Sequence, residues 1–286
     1  MKKIWAFFSL VAISLVGCNL NDESESIEFQ TPRDQYGVRY NIGDLGGKPV
    51  HLGREAPWVE YEDNVGVNTK KKYKRKVRTY ESKIQAFGFE MRYTDGLVLV
   101  IYHKAPPYSE KQYKAEINLP DNQWIRATVY ADQSYNGDLT TRLRNNTLKN
   151  KDIQRKDLEQ FNYKYIYLPT RDYVYALQKY VPHPQWIEEN KRLIMNIGRS
   201  TSLYDIKDLY VEKDETGKVM TLIKCSHSEY PKARRCEQEF VLEPEMKARI
   251  SVVFHSVHLK DWQFIQQQVQ KVVLDFIVES KVQKNK

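Results

Sequence analysis

The sequence has little of what most catalytic sites are built from. Its six histidines are scattered over 286 residues, and none sits in a His-Glu-x-x-His helix that would bind zinc. No Gly-x-Ser-x-Gly elbow offers a lipase-type nucleophile, and no glycine-rich loop offers backbone amides to a phosphate. His255 and His258 fall near the end of a predicted strand, where a spacing of three does not place side chains on one face. Neighbouring carboxylates such as Glu188 and Glu189 read as a solvated helix face. A catalytic triad can be scattered along a chain, yet no pattern here nominates one. The expectation is a protein that is not an enzyme and holds no metal and no cofactor. Cysteine is scarce too, with Cys18, Cys225 and Cys236 only, and there is no second apolar run beyond residues 4–16.

What is present begins at the amino terminus. Met1-Lys2-Lys3, an apolar stretch from Ile4 to Val16 and Gly17 have the layout of a secretory signal. The stretch is too short to span a bilayer, which takes about 20 apolar residues. Leu15-Val16-Gly17-Cys18 resembles the lipobox of bacterial lipoproteins. That resemblance implies cleavage before Cys18, a diacylglycerol on its thiol and acylation, palmitate included, of the new amino terminus. Two or more acyl chains, at about 0.8 kcal/mol per buried CH₂, anchor a protein stably. Residues 18–35 are polar and acidic without periodicity and read as a lipidated, flexible tether spanning on the order of 20–25 Å. Asn19 rather than Asp after the cysteine favours the outer membrane under the enterobacterial sorting rule. The expected location is the cell envelope, facing the periplasm.

Export decides the remaining cysteines. With Cys18 consumed by lipid, Cys225 and Cys236 should form a disulfide in an oxidising compartment. They flank a turn-like segment between two strand-like runs. Metal ligation by Cys225, His227 and Cys236 is the alternative, and it lacks a convincing fourth ligand.

The formal charge is +8, and losing Lys2 and Lys3 with the signal leaves +6. Twenty tyrosines and five tryptophans accompany that charge. A basic, tyrosine-rich surface suits protein partners; an exported lipoprotein has little occasion to meet nucleic acid. Residues 70–78 hold seven cations in nine positions, so they should repel one another into an exposed loop. Lys71, Tyr73, Lys74 and Arg75 are the candidate partner-binding residues there. A solvated loop, a contact with anionic headgroups and a dock for an acidic protein all remain open for this run.

Hydrophobic spacing predicts strands over 49–52, 58–63, 87–93, 97–103, 124–131, 163–168 and 173–177, with a short helix over 151–161 and another over 186–197. In the last third, 209–211, 219–224, 238–242 and 249–257 form an antiparallel meander. Trp262, Ile265, Val269, Val272, Val273, Phe276 and Ile277 then recur at helical spacing, an apolar stripe on one long amphipathic helix. The fold class is α+β, antiparallel sheets with packed helices. Pro182 and Pro184 suggest a hinge at 180–185, dividing the chain into α+β halves at 36–182 and 183–286.

Several stretches together carry a family resemblance. Asp44-Leu45-Gly46-Gly47-Lys48-Pro49-Val50, Trp58-Val59-Glu60-Tyr61-Glu62-Asp63 and the segment from Arg78 through Phe89 to Tyr93 make an N-terminal signature. Ile223-Lys224-Cys225-Ser226, Cys236, the segment Phe240 to Ala248, and Trp262 with Ile265 to Val269 complete it. The whole resembles a family of proteobacterial lipoproteins regarded as immunity proteins for type VI secretion lipase effectors. One turn departs from that pattern: Tyr61-Glu62-Asp63-Asn64-Val65-Gly66 stands where relatives often read Tyr-Asp-Gly-Asp-Pro. The resemblance implies a periplasmic antidote that binds a phospholipase or lipase effector and occludes its active site. An envelope structural or assembly lipoprotein is the runner-up, and a lipid- or glycan-processing enzyme the third alternative.

The lipid anchor yields the first prediction. Cys18→Ser should abolish labelling with a radioactive fatty acid and move the protein from membrane to soluble fractions with its fold intact. Undiminished partition into membranes would contradict the anchor.

Overall fold

The computed structural model describes residues 33, 37, 41–63, 77–100, 109–148, 166–188, 207–226 and 234–278. Strict alternation in the strands decides the architecture. In Trp124–Ala131 the side chains of Ile125, Ala127, Val129 and Ala131 are buried on one side, while Arg126 and Tyr130 project from the other. The strands are β1 (Ile42–Leu45), β2 (Lys48–His51), β3 (Trp58–Tyr61), β4 (Ile84–Arg92), β5 (Leu97–Val98), β6 (Trp124–Ala131), β7 (Tyr167–Val174), β8 (Leu177–Pro182), β9 (Lys207–Lys213), β10 (Val219–Ser226), β11 (Arg235–Val241) and β12 (Ala248–His255). Strands β1 and β2 pair as a small hairpin. The other ten form one antiparallel sheet in the order β3-β4-β6-β12-β11-β10-β9-β8-β7, with β5 beside β4.

The expected C-terminal meander is β9 to β12. Pairing of β12 with β6 carries the sheet from that meander to the N-terminal strands. On the other side of the meander β8 pairs with β9, so Tyr180 to Pro182, expected as part of a hinge, are strand. The strand expected over 173–177 is interrupted: β7 stops at Val174, and Tyr175 and Ala176 turn the chain into β8. Nothing in that run is a usual turn former, which is why it reads as continuous. The helix expected over 186–197 is helical at 184–188, its remainder lying outside the described residues, as does all of 151–161. At the outer edge β7 carries Pro169, which has no N–H to offer another chain, and a register shift follows it.

A 3₁₀ turn (Ser256–Asp261) leads into the long helix, numbered α3 below (Trp262–Asp275). Trp262, Ile265, Val269 and Val273 are buried and join one core with Phe87, Phe89, Ala127, Val129, Ile250 and Val252 of the sheet. Each such side chain contributes about 1.5–3 kcal/mol by leaving water. Just past the helix, Phe276 meets Phe87 and Phe89 edge-on, with centroids 5.8 and 6.0 Å apart. The β1–β2 hairpin is fastened to this end by the His51 amide donating to the Phe276 carbonyl and the Val278 amide to Pro49. Cys225 and Cys236, direct partners across β10 and β11, are bonded as a disulfide with Cα atoms 4.1 Å apart. Closing a loop of that length stabilises by about 3 kcal/mol.

Among the described residues, two elements cover the opposite face of the sheet. Helix α1 (Glu110–Glu116) lies over the β4 and β6 end, where Glu116 accepts from Arg92 at 2.7 Å and from the Trp124 indole at 2.8 Å. Helix α2 (Leu139–Arg142), capped by the Asp138 side chain and continued by a π turn through Leu148, sets Leu139 and Leu143 against Leu209, Val211, Val219 and Leu222. Arg142 at the end of α2 reaches Glu239 of β11, a side chain almost wholly buried. The Arg142 Nη2 donates to Glu239 Oε1 at 3.0 Å; Lys224 stands 3.3 Å from the same oxygen, and Arg249 3.6 Å from the other. Burial opposes ionisation of Glu239, but Lys224, Arg142 and Arg249 outweigh it and hold its pKa below the ordinary glutamate value.

A depressed pKa in the folded state makes Glu239 stabilising above the ordinary value of 4.5 and progressively less so as pH falls through the lowered one. Glu239→Gln should therefore cost about 3–5 kcal/mol near neutral pH, because three cations lose their partner. It should also flatten the acid limb of a stability-versus-pH curve measured by urea melts. An acid limb identical to that of the wild type would contradict this.

Candidate partner-binding surface

The residues nominated in the basic run, Lys71, Tyr73, Lys74 and Arg75, lie outside the described residues, and so does Cys18. Arg78, at the end of that run, is described and is engaged rather than simply solvated. Its guanidinium donates to Asp63 at 2.7 Å and lies 3.8 Å over the Tyr61 ring. Cys225 and Cys236 are in the disulfide.

Several polar groups in the interior are occupied by one another. His258 sits between the Asn122 carbonyl, 2.8 Å from its Nε2, and the Tyr93 hydroxyl, 3.1 Å from its Nδ1. That hydroxyl also reaches Asp261 at 3.1 Å. Burial and the neighbouring Asp261 carboxylate push the Tyr93 phenol well above its ordinary range. His255 accepts from the Val257 amide. Among the described residues no group of three or more His, Cys, Asp and Glu side chains is arranged to hold a metal ion.

The surface that stands out is the tip of the β7–β8 hairpin. Its sequence, Asp172-Tyr173-Val174-Tyr175-Ala176-Leu177, sends Val174 and Leu177 into the core. Tyr173 and Tyr175 are left 69% and 54% exposed. Val174 pairs with Leu177, so the loop has two residues, Tyr175 at φ 51° and Ala176 at φ 68°. A two-residue loop with both φ values positive has the sense of a type I′ turn, which Asn-Gly forms readily and side chains like these do not. Residues held in this region cost on the order of 1–3 kcal/mol each and persist only where the surroundings fix them.

Here the surroundings do. The Trp262 indole N–H donates to the Tyr175 carbonyl at 3.0 Å, and Trp262 itself is only 2% exposed. Beneath the turn lies Tyr210, its phenol pushed up to about 12 by burial, by Asp208 and by the nearby Tyr175. Lys179 pairs with Asp208 at 3.1 Å on that side of the hairpin, and on the other Lys213 donates to the Tyr180 hydroxyl at 3.0 Å. The tip is thus a rigid mount for two exposed phenols. Two other exposed aromatics, Trp58 and Phe264, are laid on the protein instead. Trp58 covers Gly88, where an added Cβ would come within 2.6 Å of the indole nitrogen, and Phe264 meets Tyr93 edge-on. The sequence signal for the hairpin is two tyrosines bracketing Val174 in a strand-like run.

No protein-family model matches the chain, and no curated protein matches it. Among solved structures it is similar to an immunity protein of the Stenotrophomonas maltophilia type IV secretion system, with a TM-score of 0.53 and 15% sequence identity. The likeness covers 87% of this chain and 99% of that one, and at such identity it establishes a shared fold.

Trp262→Phe tests the mount. It keeps a ring in the core and deletes the donor to Tyr175, at a cost of about 1 kcal/mol for the hydrogen bond. Amide exchange at 173–178 should quicken relative to the strands β10 and β11. Exchange at the tip that stays as slow as in the wild type would show that the indole does not hold it.

Proposed function

We propose that the chain is a lipid-anchored immunity protein of the cell envelope that binds and neutralises a phospholipase or lipase effector delivered by type VI secretion, by occluding its active site. The observation that carries this is the hairpin tip: backbone strain is maintained, by a buried tryptophan, at the place where two tyrosines are offered to solvent. Strain at a surface turn has no value to folding, and it persists where display matters more than stability. The likeness in fold to a secretion-system immunity protein supports an antidote role in general. That neighbour belongs to a type IV system; the type VI system and the lipase target come from the quoted sequence signature. An antidote performs no chemistry and needs a fixed surface, a compartment and high affinity. The Cys18 anchor would supply the compartment, holding the protein where a delivered phospholipase attacks.

Occlusion calls for a dissociation constant of nanomolar or better, about −12 kcal/mol. Net charge of +6 would speed capture of an acidic effector. The purified protein should suppress a type VI lipase effector of its own host at an equimolar ratio and show no hydrolysis of phospholipid by itself. Deleting its gene should sensitise the bacterium to neighbours delivering that lipase. A deletion strain that survives the attack unharmed refutes the antidote, and recovery of an envelope assembly component as the stoichiometric partner would favour a structural lipoprotein.

A further inference from the structure

We infer that His258 is a proton-operated latch between the start of α3 and the β4 end of the sheet, fully closed only when its ring carries two protons. Counting hydrogens shows why. The Asn122 carbonyl can only accept, so the His258 Nε2 atom 2.8 Å from it must carry a proton. The Tyr93 hydroxyl has one hydrogen and lies 3.1 Å from His258 Nδ1 and 3.1 Å from Asp261 Oδ2. That hydrogen can make a good bond to only one of the two. If it goes to Asp261, Nδ1 must itself be protonated and donate to the phenol oxygen, and all three contacts are hydrogen bonds. If the ring carries the Nε2 proton alone, the phenol donates to Nδ1 instead. Its oxygen then faces the Asp261 carboxylate with no hydrogen between them, and one bond is lost. The added proton belongs on the ring, because a carboxylic acid is ordinarily stronger than an imidazolium by about two to three pH units.

The partners come from separate elements. Tyr93 follows β4, Asn122 lies between α1 and β6, and His258 and Asp261 belong to the 3₁₀ turn that enters α3. His258, Tyr93 and Asn122 are all buried, and the Tyr93 ring meets the imidazole edge-on with centroids 5.3 Å apart. Water therefore does not readily replace a lost bond there. Asp261 is the carboxylate the ring faces, 3.7 Å from Nδ1. Charges adjoining the partners in sequence are otherwise engaged or exposed. Arg92 is held by Asp95 and Glu116, and Lys260 and Asp121 are exposed. His255, which precedes the turn, accepts from the Val257 amide, and Gln263, Phe264 and Ile265 of α3 carry no charge. The full set of bonds exists only in the folded chain and needs the added proton, so acidification favours the folded state and alkali weakens it. Asp261 directly precedes Trp262, so the latch acts on the start of α3.

The experiment compares urea melts of the full chain and of Asp261→Asn at about pH 5.5 and about pH 8, a range across which histidine changes charge. The amide of the variant can accept from the phenol or donate to it, so it suits both states of the ring. Asparagine also serves as well as aspartate at a helix N-terminus. Between the acid and the alkaline condition the wild type should lose roughly 10-fold in its folding equilibrium constant relative to the variant, as one hydrogen bond to a charged group is lost. The other histidines are common to both chains and cancel in that ratio. A ratio that is the same at both pH values overturns the latch. Nitrogen-15 NMR of the wild type decides the matter even if the variant does not fold. Both His258 ring nitrogens should carry slowly exchanging protons in acid, and in alkali Nε2 alone should keep its proton. A rapidly exchanging Nδ1 proton in acid, or a proton on Nδ1 alone in alkali, overturns the latch.

Discussion

The packing of α3 across one face of the ten-stranded sheet is the interaction on which the rest of the molecule depends. Ile265, Val269 and Val273 seat the helix against strands from both ends of the sequence, β4 and β6 on one side and β11 and β12 on the other. A sheet whose order joins β6 to β12 closes over a long stretch of chain, and only burial on this scale offsets the entropy of that closure. Phe276 and the β1–β2 hairpin secure one end of the helix. Trp262 secures the other and does two things there. Its ring fills the core, and its N–H fixes the Tyr175 carbonyl, so core packing and surface display share a single residue.

Much of this was legible in the sequence, for reasons that differ by element. β6 shows period-two alternation, the meander β9 to β12 shows short strand runs separated by turn residues, and α3 shows a stripe at 3.6 spacing. Each is a local pattern; β6 and the start of α3 fall where that pattern puts them, whereas β9 and β11 begin two and three residues before their apolar runs. The disulfide was legible as two cysteines on either side of one turn. The sheet order was not, because pairing of β6 with β12 leaves no mark in either strand. Nor was the Glu239 cluster, whose carboxylate and three cations come from β11, α2, β10 and β12 and meet only after folding. The hairpin turn was missed for a third reason. Tyr175 and Ala176 adopt positive φ through tertiary constraint, against their own preferences, so propensity pointed to strand. A place where local rules fail and the fold enforces the outcome is where function is to be sought.

Two kinds of polar arrangement in the molecule have different meanings. Glu239 is buried among three cations, and His258 and Tyr93 are hydrogen-bonded to neighbours, which ties helices and strands together. Tyr173 and Tyr175 are the reverse, amphipathic side chains kept out of the core at an energetic cost. Arg78, at the end of the basic run, is tied down through Asp63 and the Tyr61 ring.

The most direct measurement is amide hydrogen exchange of the full chain, free and with an equimolar amount of the proposed lipase effector of its host. Protection on binding should be concentrated at residues 171–178, with α3 and the β10–β11 pair unchanged because they are already rigid. Binding accompanied by no added protection at 171–178, with protection gathered on another face, would contradict the account.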